Sequence, residues 1–241
     1  MATLLSIECV GAACSTALVT DGQVRASARA AMTRGHASAL VPQIAEVMAA
    51  AGSELGRVDT IVTPIGPGSF TGLRVGLATA QGLALALDAR LAGVRASDLI
   101  LDDLAAAAAP GAWRVAAIDG KRPEPFIHIA APHMSAAALW DSQPITATRA
   151  AMVDHFAAVD ATTEILIGGD GAAKLLALLT GIGAPRVVHE TAPDAARIGL
   201  WAAARCAVGA PLWPPKPLYI RPPDVSAPRA TPRATPLANA K

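Results

Sequence analysis

The sequence predicts an α/β protein of two lobes, each a mixed sheet flanked by helices. Three observations carry this. Short apolar runs of strand length alternate with longer runs of helical period. Glycine turns follow several of the strands and open helices. The second half repeats the first in weaker form, with a Pro-Gly break at residues 109–111 between them.

Residues 3–9 read as a buried strand, a turn at Gly11 leads to a second strand over 14–19, and Asp21-Gly22 is a hairpin signal into a third strand over 23–31. A helix follows over 38–51, with Leu40, Val41, Ile44, Val47 and Met48 on one face and Gly52 as its stop. Next come a strand at 59–63, a helix from Thr71, a strand at 91–94 and a helix from Ser97. Three hairpin-linked strands followed by crossover helices make a mixed sheet. That order is the one found in ribonuclease H-like half-domains of the actin, hexokinase and Hsp70 group.

In the second half, strands are expected at 114–119 and 126–131, a helix over 147–158 and a strand at 164–167. Gly168-Gly169-Asp170-Gly171 then opens a helix to about Leu179. A strand is expected at 186–188, and a last helix from Pro193 to about Val208. Residues 1–109 are thus the N-terminal lobe and 110–224 a degenerate copy of it. Residues 225–241, rich in Ala, Pro and Arg, are a low-complexity stretch expected to form a mobile tail.

With 53% apolar residues and few aromatics, the core is aliphatic. Aliphatic runs are interrupted by Gly, Pro or charge before membrane-spanning length, so no membrane segment is expected. The first residues lack a basic n-region, so no signal peptide is expected. A net charge of +1 gives the chain no strong pull on nucleic acid. Cys9, Cys14 and Cys206 have neither disulfide-framework nor zinc spacing and are expected to be reduced, buried core thiols in a cytoplasmic protein.

The stretch G-P-G-S-F-T-G-L-R-V-G at 66–76 joins a strand to a helix. Its glycines and the helix N-terminus suit a phosphate cradle. They equally suit a tight connection with close helix packing, since the Lys-Ser/Thr of a P-loop is absent. Ser69 is placed to cap the helix. Within that helix Gly72, Gly76, Ala80 and Ala84 recur every four residues, with Gly82 and Ala86 thickening the stripe. This is a ridge for close approach of another backbone: the sheet of its own lobe in part, and beyond that either full burial within the monomer or a second chain. Each interior glycine costs about 1 kcal/mol of helix stability relative to alanine, so a packing return is expected.

The 66–84 stretch resembles the signature of the bacterial TsaB (YeaZ) family. So do R-G-H-A-S-A-L-V-P at 34–42, L-A-G-V at 91–94, I-D-G-K-R at 118–122 and P-L-Y-I-R at 217–221. The resemblance implies an actin-like fold and a non-catalytic role in making threonylcarbamoyladenosine next to the anticodon of tRNA. Such proteins pair with the transferase TsaD through their first two helices, help recruit the ATPase TsaE, meet tRNA only through the complex, and form homodimers by the same surface. On this basis His36, Leu40, Ile44, Leu73, Arg74, Gly76, Leu77 and Ala80 are the expected partner interface, and Arg221 is placed to pin the C-terminus to the core.

An actin-like ATPase needs carboxylates at strand ends in both lobes. Glu8 and Asp119 stand there, but Cys9 and Val10 replace the family's hydroxyl residues. With Gly168 and Gly169, which resemble an adenosine-binding turn, they make a vestigial nucleotide site at most, and ATP or ADP is the one cofactor it suggests. Asp119 can also be read as a turn carboxylate bonding nearby N–H groups. TsaD's pair of metal-binding histidines has no counterpart in R-A-S-D-L-I at 95–100, so no metal is expected. His128 and His133 are read as surface residues. The alternative readings are a metallopeptidase of the glycoprotease type, a small actin-like kinase or ATPase, and a nucleotide-binding regulator.

Overall fold

A computed structural model describes residues 2–221. The expected tail at 225–241 lies outside the described residues.

In the first lobe, β1 (Thr3–Glu8), β2 (Ala13–Thr20) and β3 (Gln23–Ala31) form an antiparallel meander. The β2–β3 turn uses Asp21 and Gly22 at positive φ, as the two-residue hairpin requires. Helix α1 (His36–Ala50) leads through a short 3₁₀ turn to β4 (Thr60–Gly66), then α2 (Phe70–Leu87), β5 (Arg90–Arg95) and α3 (Ala96–Ala107). The sheet order is β3-β2-β1-β4-β5, with β4 parallel to β1 and β5 parallel to β4.

The second lobe contains β6 (Trp113–Ile118), β7 (Phe126–Ala130), α4 (Ala136–Asp141), β8 (Ile145–Thr146), α5 (Arg149–His155), β9 (Glu164–Gly168), α6 (Ala172–Leu178) and β10 (Ala184–His189). Its sheet order, β10-β9-β6-β7-β8, is the first order read backwards, with matching strand directions. The second lobe therefore repeats the topology of the first. Helix α7 (Ala195–Ala207) then returns to the first lobe. Ile198, Trp201 and Ala202 pack on Leu4, Val19 and Val62 of the first sheet.

The layers run α1 and α2, first sheet, α7 and α3, second sheet, α5 and α6. Helix α3 is the shared middle layer. Leu99 belongs to the first lobe's cluster, while Ile100, Leu101 and Leu104 pack on Ala116, Ala130 and Leu166 of the second sheet. A helix apolar on two sides is buried on both, and those four residues are all but fully covered.

After α7 the chain forms a strap over both lobes. Trp213 bridges to Gly93 at the edge of the first sheet, and the Leu218 N–H donates to the Ile65 carbonyl at 2.7 Å. Arg221 reaches the second lobe, donating to Thr146 Oγ1 at 3.0 Å and to the Glu124 carbonyl at 3.2 Å, so it does fasten the C-terminal segment to the body of the protein. Helix α2, contrary to expectation, is long and apolar enough by composition to cross a membrane, the one such helix among the described residues. Here it is docked on the first sheet.

Candidate functional site: an interlobe cleft and a two-helix face

The β4–α2 turn is built for contact with the β1–β2 turn. Gly66 and Gly68 take φ of +111° and +150°. A Cβ on Gly68 would lie 2.2 Å from Val10 Cγ1, and one on Gly72 would lie 1.9 Å from the Cys9 carbonyl oxygen. The Ser69 N–H donates to the Val10 carbonyl, while Ser69 Oγ accepts from the Gly72 N–H, the expected cap. The glycines are thus filled by the neighbouring turn, and the phosphate-cradle reading gives way to close packing.

Glu8, at the end of β1, is buried. Its Oε1 accepts from the N–H groups of Val10 at 2.6 Å and Gly11 at 2.8 Å. Burial pushes its carboxyl up to about 7 against the pull of these two donors, and the negative charge of Asp170 adds to the rise. Asp170, a residue sequence reasoning passed over, lies across the cleft in the second lobe. Burial and the neighbouring charge of Asp119 raise its carboxyl as well, although it accepts from the Asp119 N–H at 2.9 Å. The signal was present in Gly-Gly-Asp-Gly, an acidic residue inside a glycine turn. Between Glu8 and Asp170 the lobes leave only about 10 Å³, room for about one water.

Asp119 has a different surrounding. Partial burial works against its charge, but Lys174 Nζ at 2.7 Å and the Lys121 N–H at 2.8 Å hold its carboxyl below the ordinary value. It is the turn carboxylate of the more local reading. Gly168 and Gly169 are also filled. A Cβ on Gly169 would meet the Ala117 carbonyl oxygen at 2.1 Å, and one on Gly168 would meet His189 Nε2 at 2.7 Å. The turn packs against β6 and β10 with no open slot beside these two backbones. Of the four expected nucleotide-site residues only Glu8 lines the shut cleft, where Asp170 faces it and Asp119 is linked to it through Asp170.

The expected partner interface needs correction. Leu40, Ile44, Leu73, Gly76, Leu77 and Ala80 are buried within their own lobe. Ala80 joins Leu40 and Ile44 in the cluster over β1 and β2, and Leu73 and Leu77 pack on Val10 and Ile65. A Cβ on Gly76 would sit 3.2 Å from Thr63 Oγ1, so the ridge Gly72, Gly76, Ala80 seats α2 on the sheet. Four-residue spacing identifies a face without saying which way it points. Of the eight residues, Arg74 is exposed and His36 half-buried, its Nε2 covered and without a hydrogen-bond partner.

The outward face carries a second set. Ala78, Gly82 and Ala86 are exposed on α2 beside Leu85, which is 87% exposed. On α1, Val41 is 59% exposed, in line with exposed Ala45 and Ala49. A Cβ on Gly82 would meet nothing within 4 Å. Gly82 and Leu85 were the available signals, and the inner ridge masked them.

Where a metal pair is missing at 95–100, the polar groups serve structure. Arg95, 1% exposed, pairs with Asp98 at 2.9 Å, donates to the Ser142 and Trp140 carbonyls, and lies 4.1 Å over the Trp213 ring. His128 is buried, not on the surface, between Ser97 Oγ and Ser142 Oγ. Burial, with the nearby Arg95 charge, lowers it to about 3, so it stays neutral. Among the described residues no group of three or more His, Cys, Asp or Glu is placed to hold a metal ion. Cys9 and Cys14 are buried thiols 3.6 Å apart, whereas Cys206 is half-exposed.

Two lobes of matching mixed sheets, packed on a shared helix around an interlobe cleft, define a two-lobed protein with an actin-like fold. The solved structure of YeaZ from Pseudomonas aeruginosa is similar, with TM-score 0.67 and 25% identity over 91% of this chain and 100% of that one. The Escherichia coli K12 tRNA threonylcarbamoyladenosine biosynthesis protein TsaB is 35% identical over 51% of this chain and 52% of its own length. The Haemophilus influenzae protein of the same name is 41% identical over 36% of each. The chain therefore spans about half the length, or less, of these curated relatives. A family model described as TsaD, tRNA N6-adenosine threonylcarbamoyltransferase, matches residues 28–126. The chain is similar to members of the TsaB (YeaZ) family.

Proposed function

We propose that the chain is a non-catalytic subunit of an assembly that makes threonylcarbamoyladenosine in tRNA, acting in the cytoplasm. Its α1–α2 face holds a TsaD-like transferase, and the pair recruits a TsaE-like ATPase. The N-terminal lobe is the docking lobe and the second a degenerate copy retained as support. The observation that carries this reading is the contrast between a shut cleft and an open helical face. Glu8 is retained, but two backbone N–H groups occupy it and the space before it admits no phosphate. The exposed Ala78, Gly82 and Ala86 let another backbone approach α2 closely, and Leu85 and Val41 give that contact its apolar area. The names of the relatives supply the pathway. The same face accounts for a homodimer when no transferase is present.

The test is reconstitution. The chain, a TsaD-like transferase and a TsaE-like ATPase are combined with tRNA, and modified nucleoside is read by mass spectrometry. Modification should require the chain, and the chain alone should neither hydrolyse ATP nor retain metal. ATP turnover by the isolated chain that disappears in Glu8→Gln would overturn the reading.

A further inference from the structure

The cleft that is shut at Glu8 is open elsewhere. Three motifs that lie far apart in the sequence, the β4–α2 turn, the β6–β7 turn and the C-terminal strap, converge on a second interlobe cavity of about 470 Å³. That is the size range of small-molecule sites. Its floor is apolar, made by Leu73, Phe126 and Leu218. At its mouth stand Phe70 and Tyr219, 39% and 42% exposed, their ring centroids 5.3 Å apart and tilted by 41°.

A cation, Arg74, stands against the two rings of the mouth without itself lining the cavity. Arg74 lies 3.8 Å over the Phe70 ring and donates to Tyr219 Oη at 3.3 Å. Among the described residues it has no carboxylate within ion-pair distance. Arg122 lines the cavity from the second lobe, and Glu124, the one acid in the lining, is paired with Arg221 at 3.3 Å. Half-exposed rings, an arginine stacked among them and an apolar floor suit a planar aromatic group carrying a negative charge. A bare anion would leave the rings and floor unused, and an apolar molecule would leave the arginine unmatched.

We propose that this cavity binds a nucleoside monophosphate unit, either free or as an unpaired residue of RNA, with the base against Phe70 and Tyr219 and the phosphate on Arg74. This occupancy needs no partner docked on the α1–α2 face, so it stands or falls separately from that docking.

The test is a calorimetric titration of the full chain with adenosine monophosphate, adenosine, inorganic phosphate and a short single-stranded oligoadenylate. Adenosine monophosphate should bind saturably, with adenosine and phosphate each about tenfold weaker or worse. Arg74→Ala and Tyr219→Ala should each weaken the nucleotide by about tenfold, with Val24→Ala, on the edge strand β3 far from the cavity, unchanged. An oligomer that binds more tightly than the mononucleotide assigns the RNA source, and one that binds no more tightly assigns the free nucleotide. Absence of saturable binding by either ligand at millimolar concentration overturns the proposal, as does wild-type affinity in both cavity variants. Arg74 is exposed, so that variant remains informative should Tyr219→Ala fail to fold.

Discussion

The two faces of α2 carry nearly the same small-residue spacing and have opposite fates. The inner set, Gly72, Gly76, Ala80 and Ala84, is pressed onto the first sheet. The outer set, Ala78, Gly82 and Ala86, stands in solvent beside Leu85. On the inner face a missing Cβ is demanded by a neighbour already present, the Cys9 carbonyl. On the outer face Gly82 has no such neighbour, so the instability it brings to the helix has no return within the monomer. Small-residue spacing is therefore evidence for docking only after the fold has used what it needs.

The largest effect should come from Gly72→Val. The new side chain must displace the β1–β2 turn, and it places a β-branched residue against fixed backbone. Loss of about 4 kcal/mol or more, or failure to fold, is expected in urea unfolding. A stable, folded Gly72→Val would mean that the inner face is not tightly seated.

Next is the turn that receives α2, held by Glu8. Its folded-state carboxyl is raised, so the folded chain binds the proton more tightly than the unfolded chain. The protonated group's contribution is present below the unfolded value near 4.5 and is lost as pH rises through about 7. Glu8→Gln keeps an oxygen for the Val10 and Gly11 N–H groups without the charge. At pH 8 it should be more stable than wild type, on the order of 2–3 kcal/mol, and the advantage should vanish near pH 4. Thermal melts across that range would check it, and equal stability at pH 8 would remove the strain assigned to the ionised carboxylate.

His128 acts in the opposite sense. Its value is lowered to about 3, so stability is lost as pH falls below about 6.5, where the unfolded histidine takes up a proton. Wild type should show a shallow pH dependence between about 4.5 and 6.5, because the two groups oppose each other there. Glu8→Gln should uncover the histidine slope, with unfolding free energy rising with pH over that interval. A flat profile in the variant would count against the buried, neutral imidazole.

The smallest effect is Gly82→Ala. With open space around it, this change should raise stability by about 0.5–1 kcal/mol, the helix-propensity difference. A loss of stability, read in the same urea titration, would show that the outer face is covered within the monomer.

Much of the fold was legible because local chemistry and global topology agree. Asp21-Gly22 fixes the first hairpin, Ser69 caps α2 and Gly52 stops α1, each through a backbone requirement that depends on few neighbours. Strand β8 and helix α4 were not legible, since two residues or six leave no periodicity to read. Nor was the return of α7 to the first sheet, a long-range packing choice that Trp201 and Ile198 express only in three dimensions. At the site, the sequence placed Glu8 and Asp119 at strand ends correctly. It could not show that Glu8 is occupied by its own turn, that Asp170 faces it, or that six of eight interface candidates point inward. Those facts depend on helix rotation and lobe closure, which one chain's residue pattern does not encode.

The most direct measurement is the affinity of Leu85→Glu for a TsaD-like transferase, beside its thermal unfolding. Leu85 is almost wholly exposed, so the variant should melt within about 1 °C of wild type. It should nevertheless bind the transferase at least tenfold more weakly and lose tRNA modification to match. Wild-type affinity and modification with Leu85→Glu would contradict the assignment of the outer α1–α2 face as the docking surface.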